Sequence, residues 1–428
     1  SRHRAASMRS PQPSRSSACP AAHVCAALLS RLASRPRSGV RVADQPAEPA
    51  AGTMPPLLTT LPPVPGLDLR PGLPDLSSFP RREWLAATRR VLQTTPNTAF
   101  GYGDPAGHLE LRQALAEYLG RVRGVVTTPE RVIVCAGYTH ALRLVCRALR
   151  WQGASSIAFE DPSLPDYPAL AGQTGLRVTR VPVDSGGLVV DRLTDEAAVA
   201  VTPAHQYPLG VTLSPARRTR LLAWARKTGA FVLEDDYDGE FRYDRQPVGA
   251  LQGLAPDRVV YAGTTSKTIA PGLRIAWIAV PAGLVVPLRA SMSWDEACVG
   301  VIDQLVLARL IRTGELDRHL RRCRARYRRR RDRLGDAVAR HLPHGRLSGI
   351  AAGLHAVLRF PGTGTSETRL LSHLEERGVA VGGVSPFYGR PEDAPLGIVI
   401  GYATPPEHAY GNALDTLVGA LRDQEFSG

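Results

Sequence analysis

The chain has 428 residues, 43% of them hydrophobic and 21% charged, which points to a globular protein with a sizeable core. Its formal charge is +14, but only two of the 53 basic residues are lysine, Lys227 and Lys267; the excess is an arginine bias that accompanies abundant Ala, Gly and Pro and argues little for a nucleic-acid partner. No apolar run approaches the ~20 residues of a membrane span, and six scattered cysteines without a CxxC pair point to a reducing, cytoplasmic setting and no structural metal.

Residues 1–38 are rich in Ser, Arg, Ala and Pro and show no sustained period, so they read as a disordered segment. Residues 45–66 carry seven prolines and read as a stiff linker. The divisions expected are therefore 1–44, a linker over 45–68, a large domain over 69–300, and connecting helices with a small C-terminal domain over 301–428.

In the body, "LELRQALAEYLG" places Leu109, Leu111, Leu115 and Leu119 at helical spacing, with a stop at Gly120. "RVIVCAG" is a short apolar strand, followed by a helix over "THALRLVCRALR". "SIAFED", "RVTRVPV" and "AVAVTPA" are strands. "SPARRTRLLAWARKTG" is a helix with Ser214 as N-cap, Pro215 in its first turn and Gly229 as its stop. "AFVLEDD", "RVVYAG" and "RIAWIAV" are further strands. Apolar strands alternating with helices predict an α/β fold with a mainly parallel sheet covered on both faces. After residue 300 come two long helices. One contains the basic run "RHLRRCRARYRRRRDRL", which reads as a helix with solvated arginines and with Leu320, Tyr327 and Leu334 facing inward. A smaller α+β unit follows.

Ligands of open parallel sheets bind beyond the carboxyl ends of the strands. Gly137, Tyr138 and Thr139 follow one strand at a helix N-terminus, where free N–H groups suit an anion. His205, Gln206 and Tyr207 follow another. Asp235, Asp236, Tyr237 and Asp238 end a third; Thr264, Ser266 and Lys267 follow the fourth, and Arg274 opens the strand after it. The "GTTSK" stretch does not meet the P-loop spacing, and Ser–Lys catalysis lacks its companion motifs. A lone lysine amine, a strand-end carboxylate, a phenol and an anion-binding set are the parts that pyridoxal phosphate (PLP) needs. Lys227 sits at a helix end, where a solvated lysine complements the dipole, so Lys267 is the candidate for a covalent bond.

From about residue 69 to 424 the chain resembles fold-type I PLP aminotransferases of class I/II. More narrowly, it resembles the aminotransferase-like half of MocR-type transcription regulators of the GntR family. "YGDPAGHLELRQALAEYLGRVRGV", "TPAHQYPLGVTLSPARR", "EDDYDGEFRYD" and "TTSKTIAPGLRIAW" carry the likeness. The resemblance implies a mainly parallel seven-stranded-type sheet in the large domain. It makes Lys267 the Schiff-base lysine, with Asp235 on the pyridine nitrogen and Tyr237 on the 3′-oxygen. Thr264, Ser266, Arg274 and the backbone after Gly137 would hold the phosphate, while His205 would orient groups around the ring. Tyr102 would reach the neighbouring subunit's phosphate, which implies a homodimer.

Three positions depart from the aminotransferase pattern. Leu164 stands where many relatives stack a tyrosine on the ring, Asp166 where an arginine often follows, and Val399 in "GIVIGYA" where an arginine clamps the substrate carboxylate. Arg390 is a candidate substitute. The departures resemble the PdxR-like branch, in which PLP is read as a signal. The alternatives are an active aminotransferase acting on an amino acid and a non-functional remnant. DNA is an expected partner only if a helix-turn-helix exists in the full-length protein: "RPRSGVRVAD" resembles the end of a winged helix-turn-helix wing, and the rest of that module is not legible before it.

Overall fold

The computed structural model describes residues 66–243, 248–292, 299–360 and 365–423, together with the backbone of two short strands nearer the N-terminus. Those two, β1 (Leu32–Ser34) and β2 (Val40–Val42), pair antiparallel within a unit ending at Pro63. The remaining sequence readings for residues 1–65 fall outside the described residues.

In the second unit, β3 (Leu67–Asp68) is followed by α1 (Arg81–Thr94) and α2 (Leu109–Arg123). The expected stop of α2 at Gly120 is wrong by one turn. The helix continues to Arg123, whose buried guanidinium forms a bidentate pair with Asp236 (2.6 and 3.0 Å), and Gly124 then takes the left-handed turn at φ 70°. Tertiary pairing outweighs the roughly 1 kcal/mol that an interior glycine costs.

The central sheet is built from β4 (Val132–Cys135), β5 (Ser156–Asp161), β6 (Arg177–Asp184), β7 (Gly187–Leu188), β8 (Ala198–Val201), β9 (Phe231–Asp235), β10 (Val259–Thr264) and β11 (Ala276–Ala279). Their order is β4-β11-β10-β9-β8-β5-β6-β7. The run β10-β9-β8-β5-β6 is parallel throughout, β11 is antiparallel to both of its neighbours, and β7 adds a two-residue edge. The intervening helices are α3 (Tyr138–Trp151), α4 (Asp166–Gln173), α5 (Pro215–Thr228) and α6 (Ala282–Ser291).

Alternation along the strands covers both faces, as the sequence predicts. Ile133, Phe159, Leu233 and Ile278 pack with Leu142 and Val145 of α3 and Leu284 and Leu288 of α6. Their neighbours Ala158, Val199 and Val232 pack with Leu221 and Leu222 of α5. Helix α5 has the predicted ends: the Ser214 hydroxyl accepts from the Arg217 N–H, Pro215 opens the first turn, and Gly229 follows the last.

Helices α7 (Val301–Arg312) and α8 (Glu315–His341) lead to a four-stranded antiparallel sheet of β12 (Arg346–Ser348), β13 (Ala356–Arg359), β15 (Gly382–Gly383) and β16 (Gly397–Ile400). Between and after these strands come α9 (Glu367–Glu376), β14 (Val379–Ala380), which pairs with β3, and α10 (Glu407–Asp423). In α8 the predicted inward residues Leu320, Tyr327 and Leu334 are buried, along with Leu316, Cys323 and Val338. The arginines are mostly solvated, with one exception: Arg330 is 2% exposed and lies on the apolar face. Among the described residues, no helix is long and apolar enough to cross a membrane.

Candidate active site

The parallel strands converge at their carboxyl ends on a cavity of about 200 Å³. Glu160 at the end of β5, Thr202 after β8, Asp235 at the end of β9 and Lys267 after β10 all line it. Tyr138 enters from the first turn of α3, and Leu354 and His355 from the segment just before β13.

The Lys267 Nζ donates to the Gly72 carbonyl at 2.6 Å. Burial lowers its pKa, and the charges of Asp235 and Asp238 oppose that shift. A buried lysine with a depressed pKa is the chemical form that attacks a carbonyl carbon. Asp235 is 8% exposed, and no hydrogen-bond donor reaches its carboxylate among the described residues. Burial pushes this carboxyl well above the usual range, and Asp236 beside it adds to the effect. A buried acceptor without a donor is costly; a protonated ring nitrogen in the cavity supplies both the donor and the countercharge.

An anion cradle lies nearby. Gly137 caps α3 with φ 89°, and no side chain caps the helix, an opening suited to an anion. Arg274, itself at φ 53°, donates to the Ala136 carbonyl at 2.8 Å and lies so close to Gly137 that a Cβ there would sit 3.0 Å from the guanidinium carbon. The Thr264 and Ser266 hydroxyls are 2.9 Å apart, and the Ser266 N–H donates to the Thr264 oxygen at 3.1 Å. Thr139 is exposed on the first turn of α3.

Tyr237 lines the cavity, and its hydroxyl donates to the His205 carbonyl at 3.0 Å. His205 lies behind Tyr237, with its Nδ1 2.7 Å from Asp238. Tyr207 lines the cavity edge-on to Phe387 and to Tyr237. Tyr102 is not brought to this cavity: it is fully exposed.

The departures are resolved spatially. Leu164 is a cavity wall. Asp166 is exposed in the first turn of α4, where a carboxylate complements the helix dipole. Val399 is fully buried with Val357 and Val384, against Phe387 and Tyr388. Arg390 is exposed, and no arginine is among the described residues lining the cavity.

Glu160 and His355 are among the lining residues that escaped the sequence reading. Glu160 accepts from the Thr202 N–H (3.1 Å) and hydroxyl (2.6 Å), and burial pushes its carboxyl up to about 7. His355 is buried and bonded through Nε2 to the Pro208 carbonyl at 3.0 Å. Glu160 is read from sequence as a strand residue beside an Asp, and His355 as the second residue of "LHAVLRF"; neither position carries a local signal.

The model of the aminotransferase class I and II family matches residues 68–394. The chain is 35% identical over 346 residues to the HTH-type transcriptional regulator YhdI of Bacillus subtilis (strain 168), covering 79% of this chain and 72% of the relative. It is also 35% identical over 346 residues to the HTH-type pyridoxine biosynthesis transcriptional regulator PdxR of Corynebacterium glutamicum, covering 80% and 73%. An archaeal alanine:glyoxylate aminotransferase superposes with a TM-score of 0.76 at 26% identity, over 84% of this chain and 91% of that one. The buried amine, the donorless carboxylate and the anion cradle fit the PLP on which this family depends, and the chain is a member of the aminotransferase class I and II family, in the branch of HTH-type regulators of MocR type.

Proposed function

We propose that this chain holds PLP as a signal for transcription regulation rather than as a reagent for transamination. The observation that carries this reading is the absence of arginine among the described residues that line the cavity, together with the apolar burial of Val399. A substrate carboxylate without a guanidinium partner forgoes hydrogen bonds of ~1.5–3 kcal/mol each.

When bound, PLP supplies an aldehyde carbon for an amine and a ring that withdraws electrons. In our reading, Lys267 provides the amine, and Asp235 keeps the ring nitrogen protonated. Tyr237 and Tyr207 bound the ring's edge, with His205 and Asp238 fixing Tyr237 from behind. Arg274, Thr264, Ser266 and the N–H groups of Gly137, Tyr138 and Thr139 take the phosphate. The exposed Tyr102 suits a role in a second copy's site, so the working form is a homodimer. DNA would be a partner only if a helix-turn-helix exists in the full-length protein, and the setting would be cytoplasmic, where DNA and the coenzyme meet.

The test is spectroscopic. The PLP-loaded chain is mixed with a panel of L-amino acids and 2-oxo acids. The expected result is an unchanged coenzyme spectrum and no pyridoxamine phosphate. Conversion with turnover would establish the aminotransferase reading instead, and a chain that takes up no PLP would remove both.

The cradle makes its own prediction. Gly137→Ala forces a Cβ against Arg274 in a conformation that side chains rarely adopt. Displacing one charged phosphate contact should weaken PLP binding roughly tenfold. Equilibrium titration of the coenzyme measures this, and an unchanged affinity would remove Gly137 from the cradle.

A further inference from the structure

The segment leading into β13 brings the His355 imidazole to the cavity wall. Its Nε2 is 3.0 Å from the Pro208 carbonyl, which can only accept, so the ring proton sits on Nε2. Nδ1 is left with a lone pair, and no donor reaches it among the described residues. Burial pushes the imidazole down to about 3, with His205 and Lys267 adding to the shift, so the ring stays a neutral acceptor at physiological pH. Contacts with the rings of Tyr207 and His205, at 4.9 and 5.0 Å, fix its plane.

Among the described lining residues, Asp235 and Glu160 are carboxyl groups on the cavity surface, Lys267 is the one cation, and Pro71, Leu164 and Leu354 are apolar walls. A carboxylate placed beside His355 meets no guanidinium and faces an acceptor. An amine there finds an acceptor lone pair.

We propose that the cavity takes a small primary amine lacking a carboxylate, and that His355 is its specificity-determining residue, accepting a hydrogen bond from the amine at Nδ1. This rests on the PLP-holding reading of the same site and adds to it a class of second ligand. His205, Asp238 and His355 also present one nitrogen or oxygen each within 4.8 Å of one another. Two of those groups already hold each other, since His205 Nδ1 lies 2.7 Å from Asp238, and this favours an organic ligand over a metal ion.

The matched probes are n-pentylamine and L-norleucine, which differ by the carboxylate alone. Each is titrated calorimetrically into the PLP-loaded full chain, and again into the PLP-free chain. Pentylamine should bind at least ~10-fold more tightly than norleucine. His355→Phe, which keeps a flat ring but has no acceptor, should weaken pentylamine by roughly tenfold. His355→Arg should reverse the preference. Equal or tighter binding of norleucine by the native chain, binding of neither probe, or an unaltered amine affinity in His355→Phe would each overturn the proposal. If the chain takes up no PLP, the regulatory reading fails by itself, and the PLP-free titration still decides the amine preference.

Discussion

Lys267→Ala is expected to abolish covalent retention of PLP. Reducing the loaded native chain with borohydride should fix one coenzyme per chain, and peptide mass mapping should place it on Lys267; the Ala variant should fall to background. The sequence makes this experiment unusually clean, because Lys227 is the only other lysine, and it is exposed near the carboxyl end of α5. Lys227→Ala should therefore label as the native chain does, and label found on Lys227 in either chain would refute the assignment. The physical argument is the pairing of burial with geometry: the Lys267 amine is held at the strand ends by one carbonyl, that of Gly72, and its lowered pKa leaves a larger unprotonated fraction at neutral pH. Asp235→Asn should leave the bond possible but weaken it. Losing a charge-assisted hydrogen bond to the ring nitrogen corresponds to ~1.5–3 kcal/mol, or roughly a tenfold to hundredfold drop in affinity.

The parts of this site that were legible in the sequence are those bound to strand ends. A short apolar run followed by Asp–x–Tyr, or by Thr-x-Ser-Lys with Arg seven residues on, states both where the backbone turns and which chemistry appears there. Topology does the rest, since parallel strands bring their carboxyl ends to one edge. Glu160 and His355 were not legible because each reaches the cavity through a long-range fit. Glu160 depends on Thr202 and Gln206, and His355 on the Pro208 carbonyl across 147 positions of chain. The overrun of α2 past Gly120 has the same origin: Arg123 is buried by Asp236, 113 positions away, and local propensity carries no information about that pair. The departures were readable as residue types, but their meaning was spatial. Val399 could have faced the cavity with another cation taking the arginine's place; it lies instead in a closed apolar cluster.

The same limit applies to the arginine-rich helix, and there it has the largest consequence for stability. Arg330→Leu is expected to cost about 3–5 kcal/mol, the range for removing one partner of a buried ion pair. The native guanidinium reaches Asp75 at 3.2 Å, Glu407 at 2.8 Å, and the carbonyls of Tyr402, Ala403 and Pro405 at 3.3, 3.1 and 2.8 Å. It also lies over the Tyr410 ring at 5.0 Å. One side chain thus ties α8 to the segment before α1 and to the turn entering α10. Leucine fills part of the volume on the apolar face but leaves three carbonyls with one donor fewer and Asp75 buried with only Arg326, at 3.3 Å, as a charged partner. The double variant Arg330→Leu/Asp75→Asn should therefore recover part of the loss, because the stranded charge is gone. Glu407→Gln, at a half-exposed carboxylate, should cost ~1 kcal/mol or less. Denaturant midpoints of the four chains measure all three claims. Equal midpoints for Arg330→Leu and the native chain would mean that Arg330 is spectator charge, and a double variant no more stable than Arg330→Leu would mean that lost packing, not the stranded Asp75, sets the cost.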